Sequence, residues 1–142
     1  MSILDTKKAL IQQLLTVTST IFDSDDIAYE NANFKPENKD AFIQPFFIPA
    51  STDMMGKTQD SGDEQRGIFQ VSVFVKLNSG NYDNDQLQIV DDVLSAFKYN
   101  TSMVYNNQQV DVLSSTVNTG TSNNAYFKRD ISINYLTFSQ RI

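Results

Sequence analysis

The chain has 142 residues, 40% hydrophobic and 20% charged, enough for one globular core and far from the low-hydrophobicity, high-charge signature of disorder. It contains no histidine, cysteine or tryptophan, which excludes thiolate nucleophiles, imidazole bases, disulfides and Cys/His zinc sites. Seventeen acidic against eleven basic residues give a net charge of −6, and only Lys7-Lys8 and Lys128-Arg129 are adjacent basic pairs, which argues against the clustered phosphate contacts of nucleic-acid binding.

The N-terminal segment reads as a helix. Ser2 with Asp5 three residues on resembles a capping box, with Asp in the place usually held by Glu or Gln. Leu4, Leu10, Ile11, Leu14, Leu15 and Ile21 recur at helical steps, while Lys7, Lys8, Gln12 and Gln13 fall mostly elsewhere. The β-branched run Thr16 to Thr20 weakens helix propensity and predicts an end there, before the polar turn Asp23-Ser24-Asp25-Asp26.

Ile27 to Glu30 reads as a short strand and Asn31 to Pro36 as the loop leaving it. Ala41 to Ile48 is a second strand, and Pro45, which cannot donate to a ladder, assigns it to an edge or a bulge. Ala50 to Gln65 is polar, contains glycine and lacks periodicity, so it reads as a long mobile loop. Gly67 to Leu77 alternates most strongly, with Phe69, Val71, Val73, Val75 and Leu77 on one phase, and is expected to cross the centre of a sheet. After the turn at Asn78 to Asn81, Asp83 with Gln86 suggests a cap, and Leu87, Val90, Val93, Leu94 and Phe97 form a second amphipathic helix. Met103 to Tyr105, a turn at Asn106-Asn107 and Val110 to Ser114 read as a hairpin. Asn118 to Asn124 reads as flexible, and Tyr126 to Phe138 as the last strand. Helix, strands, helix, strands predicts an α+β fold, a mostly antiparallel sheet with two helices packed on one face, in a single domain spanning 1–142.

Candidate chemistry is sparse. Gly56-Lys57-Thr58 ends like a phosphate-binding loop, but Ser51 stands where the earlier glycine is needed and no helix-forming segment follows. Asp23 to Asp26 has the carboxylate density of a calcium loop, yet Ala28 replaces the turn glycine and Phe34 the bidentate glutamate. Asp91-Asp92 projects two carboxylates about 100° apart on a helix, which does not converge on one metal or one glycosidic bond. No metal, cofactor or catalytic residue is therefore assigned. No run reaches the ~20 apolar residues of a membrane span, and Met1 to Leu15 lacks a signal-peptide layout, so the chain is expected to stay where it is made. Among the ten Phe and six Tyr, Phe46, Phe47, Phe74 and Phe138 fall near edges or on the polar phase of strands, where either packing under a helix or a contact between subunits explains them.

Taken together, the N-terminal helix, Ile27-Ala28-Tyr29-Glu30-Asn31 leading through Phe34 and Pro36 to an aromatic-rich strand, the Arg66-Gly67-Ile68-Phe69-Gln70-Val71-Ser72-Val73 strand, the helix ending in Ala96-Phe97, the hairpin around Val110 and the final Ile131-Ser132-Ile133-Asn134-Tyr135 strand resemble the tail terminator (tail completion) proteins of long-tailed bacteriophages over nearly the whole chain. That resemblance implies a virion protein and not an enzyme. It would be a self-associating ring, usually a hexamer, assembled in the host bacterial cytoplasm and seated at the head-proximal end of the tail. Such a ring docks on the major tail tube protein, halts tube growth and presents a new surface to the head connector or head-closure protein. DNA passes through its lumen without specific binding, which an acidic wall favours. Interface residues expected for the tube or a neighbouring subunit are Met54, Met55, Lys57, Arg66, Phe46 and Phe74, with the 50–65 loop ordering on docking. A head-closure or connector protein of the same neck, a monomeric protein-binding module and a carboxylate-dependent hydrolase using Asp23, Asp25 or Asp26 are the other readings.

Overall fold

The computed structural model describes residues 3–21, 27–30, 41–54, 62–76, 84–123 and 126–140. Helix α1 (Ile3–Ile21) is followed by strands β1 (Ala41–Met54) and β2 (Gly62–Lys76), helix α2 (Asn84–Ala96), and strands β3 (Ser102–Tyr105), β4 (Gln108–Val117), β5 (Thr121–Asn123) and β6 (Tyr126–Gln140). The strands form one antiparallel sheet in the order β1-β2-β6-β4-β3, with β5 paired to β6. Both helices lie on one face, as the apolar periodicities require: this is the α+β fold expected.

The core is where the alternating phase of the strands meets the two helices. Leu10 and Leu14 of α1 and Val90 and Val93 of α2 are buried against Phe69, Val71 and Val73 of β2, Ile131 and Ile133 of β6, and Val110 and Val112 of β4. Phe97, just past α2, meets Phe69 with ring centroids 5.7 Å apart. The inward stripes are narrower than their periodicity suggested. Leu4 is 57% exposed and Leu87 is also exposed, while Thr6 and Ala9 take inward positions on α1.

Five expectations are corrected. Helix α1 does not end within the Thr16 to Thr20 run but continues through it to Ile21. Thr16 Oγ1 donates to the Gln13 carbonyl at 2.7 Å, a back-bond that a helix accommodates. The segment Ala50 to Gln65 is not one long loop: β1 continues to Met54 and β2 begins at Gly62, with Thr52 opposite Gln65 and Met54 opposite Asp63. A bulge between Pro49 and Ser51 absorbs the register shift, and the ladder continues because main-chain bonds need no apolar alternation. Ile27 to Glu30 forms no named strand, only an isolated parallel bridge from Ile27 to Ile43. Thr121 to Asn123, within the stretch read as flexible, pairs with Tyr126 to Lys128. Asp83 lies outside the described residues, and Gln86, assigned above to a cap, turns into the core. Its Nε2 donates to the carbonyls of Val73 at 3.0 Å and Phe127 at 2.8 Å, and its Oε1 accepts from Arg129 Nε at 3.2 Å.

The hairpin between β3 and β4 turns at Asn106 and Asn107, both at positive φ (51° and 67°). A two-residue turn of this hand matches the twist of the strands it joins, and asparagine tolerates the left-handed region. Pro45 places β1 at an edge, as expected, and β2 is paired on both sides.

Candidate interaction surfaces

The sheet face opposite the helices is built from the other phase of the same strands: Phe42, Phe46 and Ile48 of β1, Ile68, Gln70, Ser72 and Phe74 of β2, and alternate residues of β6 from Tyr126 to Phe138. Its two ends differ in chemistry. At one end the register sets Phe42 beside Phe74, and the rings stack at 4.5 Å with 7° between their planes. Tyr126 meets Phe42 edge-on at 5.1 Å, and Ala28 completes a second buried cluster. Lys128 Nζ stands 5.9 Å from the centroid of the Phe74 ring.

Next along the face is a short polar chain. Gln70 Nε2 donates to Ser72 Oγ at 3.4 Å, Ser72 Oγ donates to Asp130 Oδ1 at 2.6 Å, and Lys128 Nζ lies 3.7 Å from the same oxygen. Ser72 is fully buried, and its proton is committed to the Asp130 bond, so this chain is a structural tie between β2 and β6.

The other end is apolar and open. Ile48, 43% exposed, pairs directly with half-buried Ile68, while half-buried Leu136 and Phe138, 51% exposed, follow on β6. Exposed Arg66 lies opposite Leu136 and pairs with Glu64 through its Nε. A shallow concavity of about 360 Å³ lies between Arg66, Ile68, Leu113 and Asn134, beside the β4 bulge between Val112 and Ser114. Gly67 and Tyr135 also line it, with the Tyr135 ring against Gly67. Burial pushes the Tyr135 hydroxyl up to about 12 and raises Tyr29 as well.

Of the expected interface residues, Arg66 is exposed and Phe46 half-buried on this same open face, separated along β1 and β2 by the Ile48–Ile68 pair. Phe74 is 7% exposed and packs within the chain, at the far end of that face. Met54 is the last residue of β1, paired with Asp63, at the end of the ladder where β2 is also paired with β6. Met55 and Lys57 lie outside the described residues, as do Gly56-Lys57-Thr58 and Asp23 to Asp26. The sequence reading did not single out Ile48, Ile68 and Leu136. The signal was present, three aliphatic residues on the polar phase of strands, but alternation alone does not say which face lacks helices.

A second groove, about 600 Å³, runs between α1 and β3, with Gln12, Gln13 and Thr16 on one wall and Ser102 and Val104 on the other. Among the described residues no group of three acidic side chains converges to hold a metal. No described helix is long and apolar enough to cross a membrane.

Comparison with known proteins supplies what geometry alone does not. No curated protein matches the chain. A solved structure known only by a sequence identifier superposes with a TM-score of 0.73 over 96% of both chains at 21% identity, which supports the fold. A family model described as "Phage tail terminator protein" matches residues 5–135, from the first turn of α1 to Tyr135 in β6. By that match over nearly its whole length, on the α+β sheet described above, the chain belongs to the phage tail terminator protein family, a structural family of phage tails.

Proposed function

We propose that this chain is a single-domain virion protein that caps the tail tube of a long-tailed phage, stops its polymerisation and provides the joint to the head. The observation that carries this reading is the family match across residues 5–135. A tube grows by head-to-tail stacking, so ending it requires a subunit complementary to the tube on one side and mismatched on the other. The fold offers two different surfaces: a sheet face with an open apolar end around Ile48, Ile68 and Phe138, and a helix-covered face with a groove of mixed polar and apolar lining between α1 and β3.

In this reading copies of the chain close into a ring, a hexamer, at the head-proximal end of the tail. The major tail tube protein lies on one side and a head connector or head-closure protein on the other. The ends of β1 and β2, with Met54 at the last pair and Arg66 and Phe46 further along, together with Met55 and Lys57, reach the tube or the neighbouring subunit. The acidic balance of the chain suits a lumen through which DNA passes without being held.

The test is genetic and visual. Phage lacking this gene should yield tails of uncontrolled length beside unattached, filled heads in electron micrographs, restored by supplying the gene in trans. Tails of normal length joined to heads would overturn the assignment.

A further inference from the structure

Strand β1 lies at one edge of the sheet, where unpaired main-chain groups normally template a further strand. Its edge-facing groups belong to alternate residues. Two bonds identify the set: the Ile43 carbonyl accepts from the Ala28 amide at 2.8 Å, and the Phe47 amide donates to Glu30 Oε1 at 2.6 Å. Ile43, Pro45, Phe47 and Pro49 therefore share the outward phase. Two of the four are prolines, which carry no N–H, and the Phe47 amide is already engaged by a carboxylate. Among the described residues from 44 to 49, no outward amide is left to donate to an incoming strand.

The placement is selective. Gln44, Phe46 and Ile48, opposite Ser72, Gln70 and Ile68, are on the phase that exchanges bonds with β2, and none is proline. A proline at any of them would remove a ladder bond from the sheet itself. Pro45 and Pro49 occupy positions where they remove nothing from the sheet and deny a donor to a neighbour. The bulge between Pro49 and Ser51 then shifts the register of the strand, and residues 27–30 lie against the edge through the Ile27–Ile43 bridge. At the opposite edge, β3 is four residues long and covers β4 from Gln108 to Asp111.

We propose that the outer edge of β1 is a built-in stop against strand addition by a second copy of this chain. Copies meet through side-chain surfaces and do not extend one another's sheet along β1, whatever the chain does in a virion. Glu30, Pro45 and Pro49 are the parts of the stop: the prolines remove donors and the glutamate occupies the one that remains.

The experiment restores the edge in the full chain. Glu30→Ala, Pro45→Val and Pro49→Thr are combined, and self-association is followed by sedimentation, with hydrogen exchange read at residues 45, 47 and 49. The variant is expected to associate beyond the wild-type species at concentrations about tenfold lower, because three outward amides become available. Slowed exchange at those three amides on association would place the new contact on β1. Wild-type association with fast exchange at all three would overturn the proposal. Should the triple variant fail to fold, Pro49→Thr with Glu30→Ala gives the same reading, since Pro49 and Glu30 are exposed. In the wild-type protein, the Phe47 amide should exchange at a rate independent of protein concentration. Protection that grows with concentration and survives Glu30→Ala would show β1 pairing with another chain and refute the stop.

Discussion

Gly67 faces Tyr135 across the β2–β6 pair, and the tyrosine ring occupies the space where a side chain on residue 67 would stand. A Cβ there would lie 2.7 Å from Tyr135 Cζ and 2.6 Å from the Ile48 carbonyl oxygen, the second of which is main chain and cannot swing aside. The same ring stacks on Phe47 with centroids 5.7 Å apart, so one glycine lets an aromatic pair bind three strands together. Gly67→Ala should destabilise the protein by about 1–3 kcal/mol, the range for forcing a methyl into a packed site. Urea denaturation at neutral pH would measure it, and a midpoint equal to wild type would contradict the close approach.

Tyr135 also makes stability depend on alkaline pH. Burial holds its hydroxyl neutral to about 12, against 10.0 in the unfolded chain. Between those values the native state keeps a proton that the unfolded state releases. The contribution is therefore fully present below about pH 10 and is lost as pH rises toward 12. Tyr135→Phe keeps the ring but removes the ionisation, so the difference in denaturation midpoint between wild type and variant should shrink or reverse across that window. A difference that stays constant from pH 8 to 12 would show the hydroxyl to be unperturbed.

Phe69 and Phe97 sit together where β2 meets the end of α2 and are both fully buried. Replacing either with alanine should cost about 3–5 kcal/mol, comparable to much of the stability of a domain this size. Thermal unfolding should show the loss as a sharply lowered transition, or as no folded protein at all.

Gln86 joins three elements: α2, β2 through Val73 and β6 through Phe127 and Arg129. Gln86→Leu preserves bulk but leaves two carbonyls without this donor and Arg129 without this acceptor. We expect a loss of about 2–3 kcal/mol despite the more apolar side chain. A neutral or stabilising result would mean the carbonyls find other partners.

The joined ends of β1 and β2 yield a functional test. Removing Thr52 to Asp63 shortens a hairpin whose base remains paired from Ala41–Val75 to Pro49–Gly67, so circular dichroism should report a folded protein. Binding to purified tail tubes should fall to background. Binding equal to wild type would show that these ends do not reach the tube.

What the sequence by itself determined follows from short-range physics. The two helices, the hairpin at Asn106-Asn107 and the strong alternation of β2 and β6 are written in periodicities of a few residues, and Pro45 narrowed β1 to an edge or a bulge, which the sheet order resolved as an edge. The absence of histidine and cysteine removed whole classes of chemistry before any fold was known. Tertiary structure decided the rest, because the deciding partners are distant in the chain. Ladder bonds are made by the main chain and leave no side-chain pattern, so the pairing of Ser51 to Met54 with Asp63 to Arg66 could not be read from a polar, aperiodic stretch. The Gln86 bonds span 13 and 41 residues and have no local signature. Phe74 and Phe138 share the phase opposite the helices, yet one is covered by Phe42 and Tyr126 and the other is open. Alternation states which way a side chain points, and only the packing of the sheet states what meets it there.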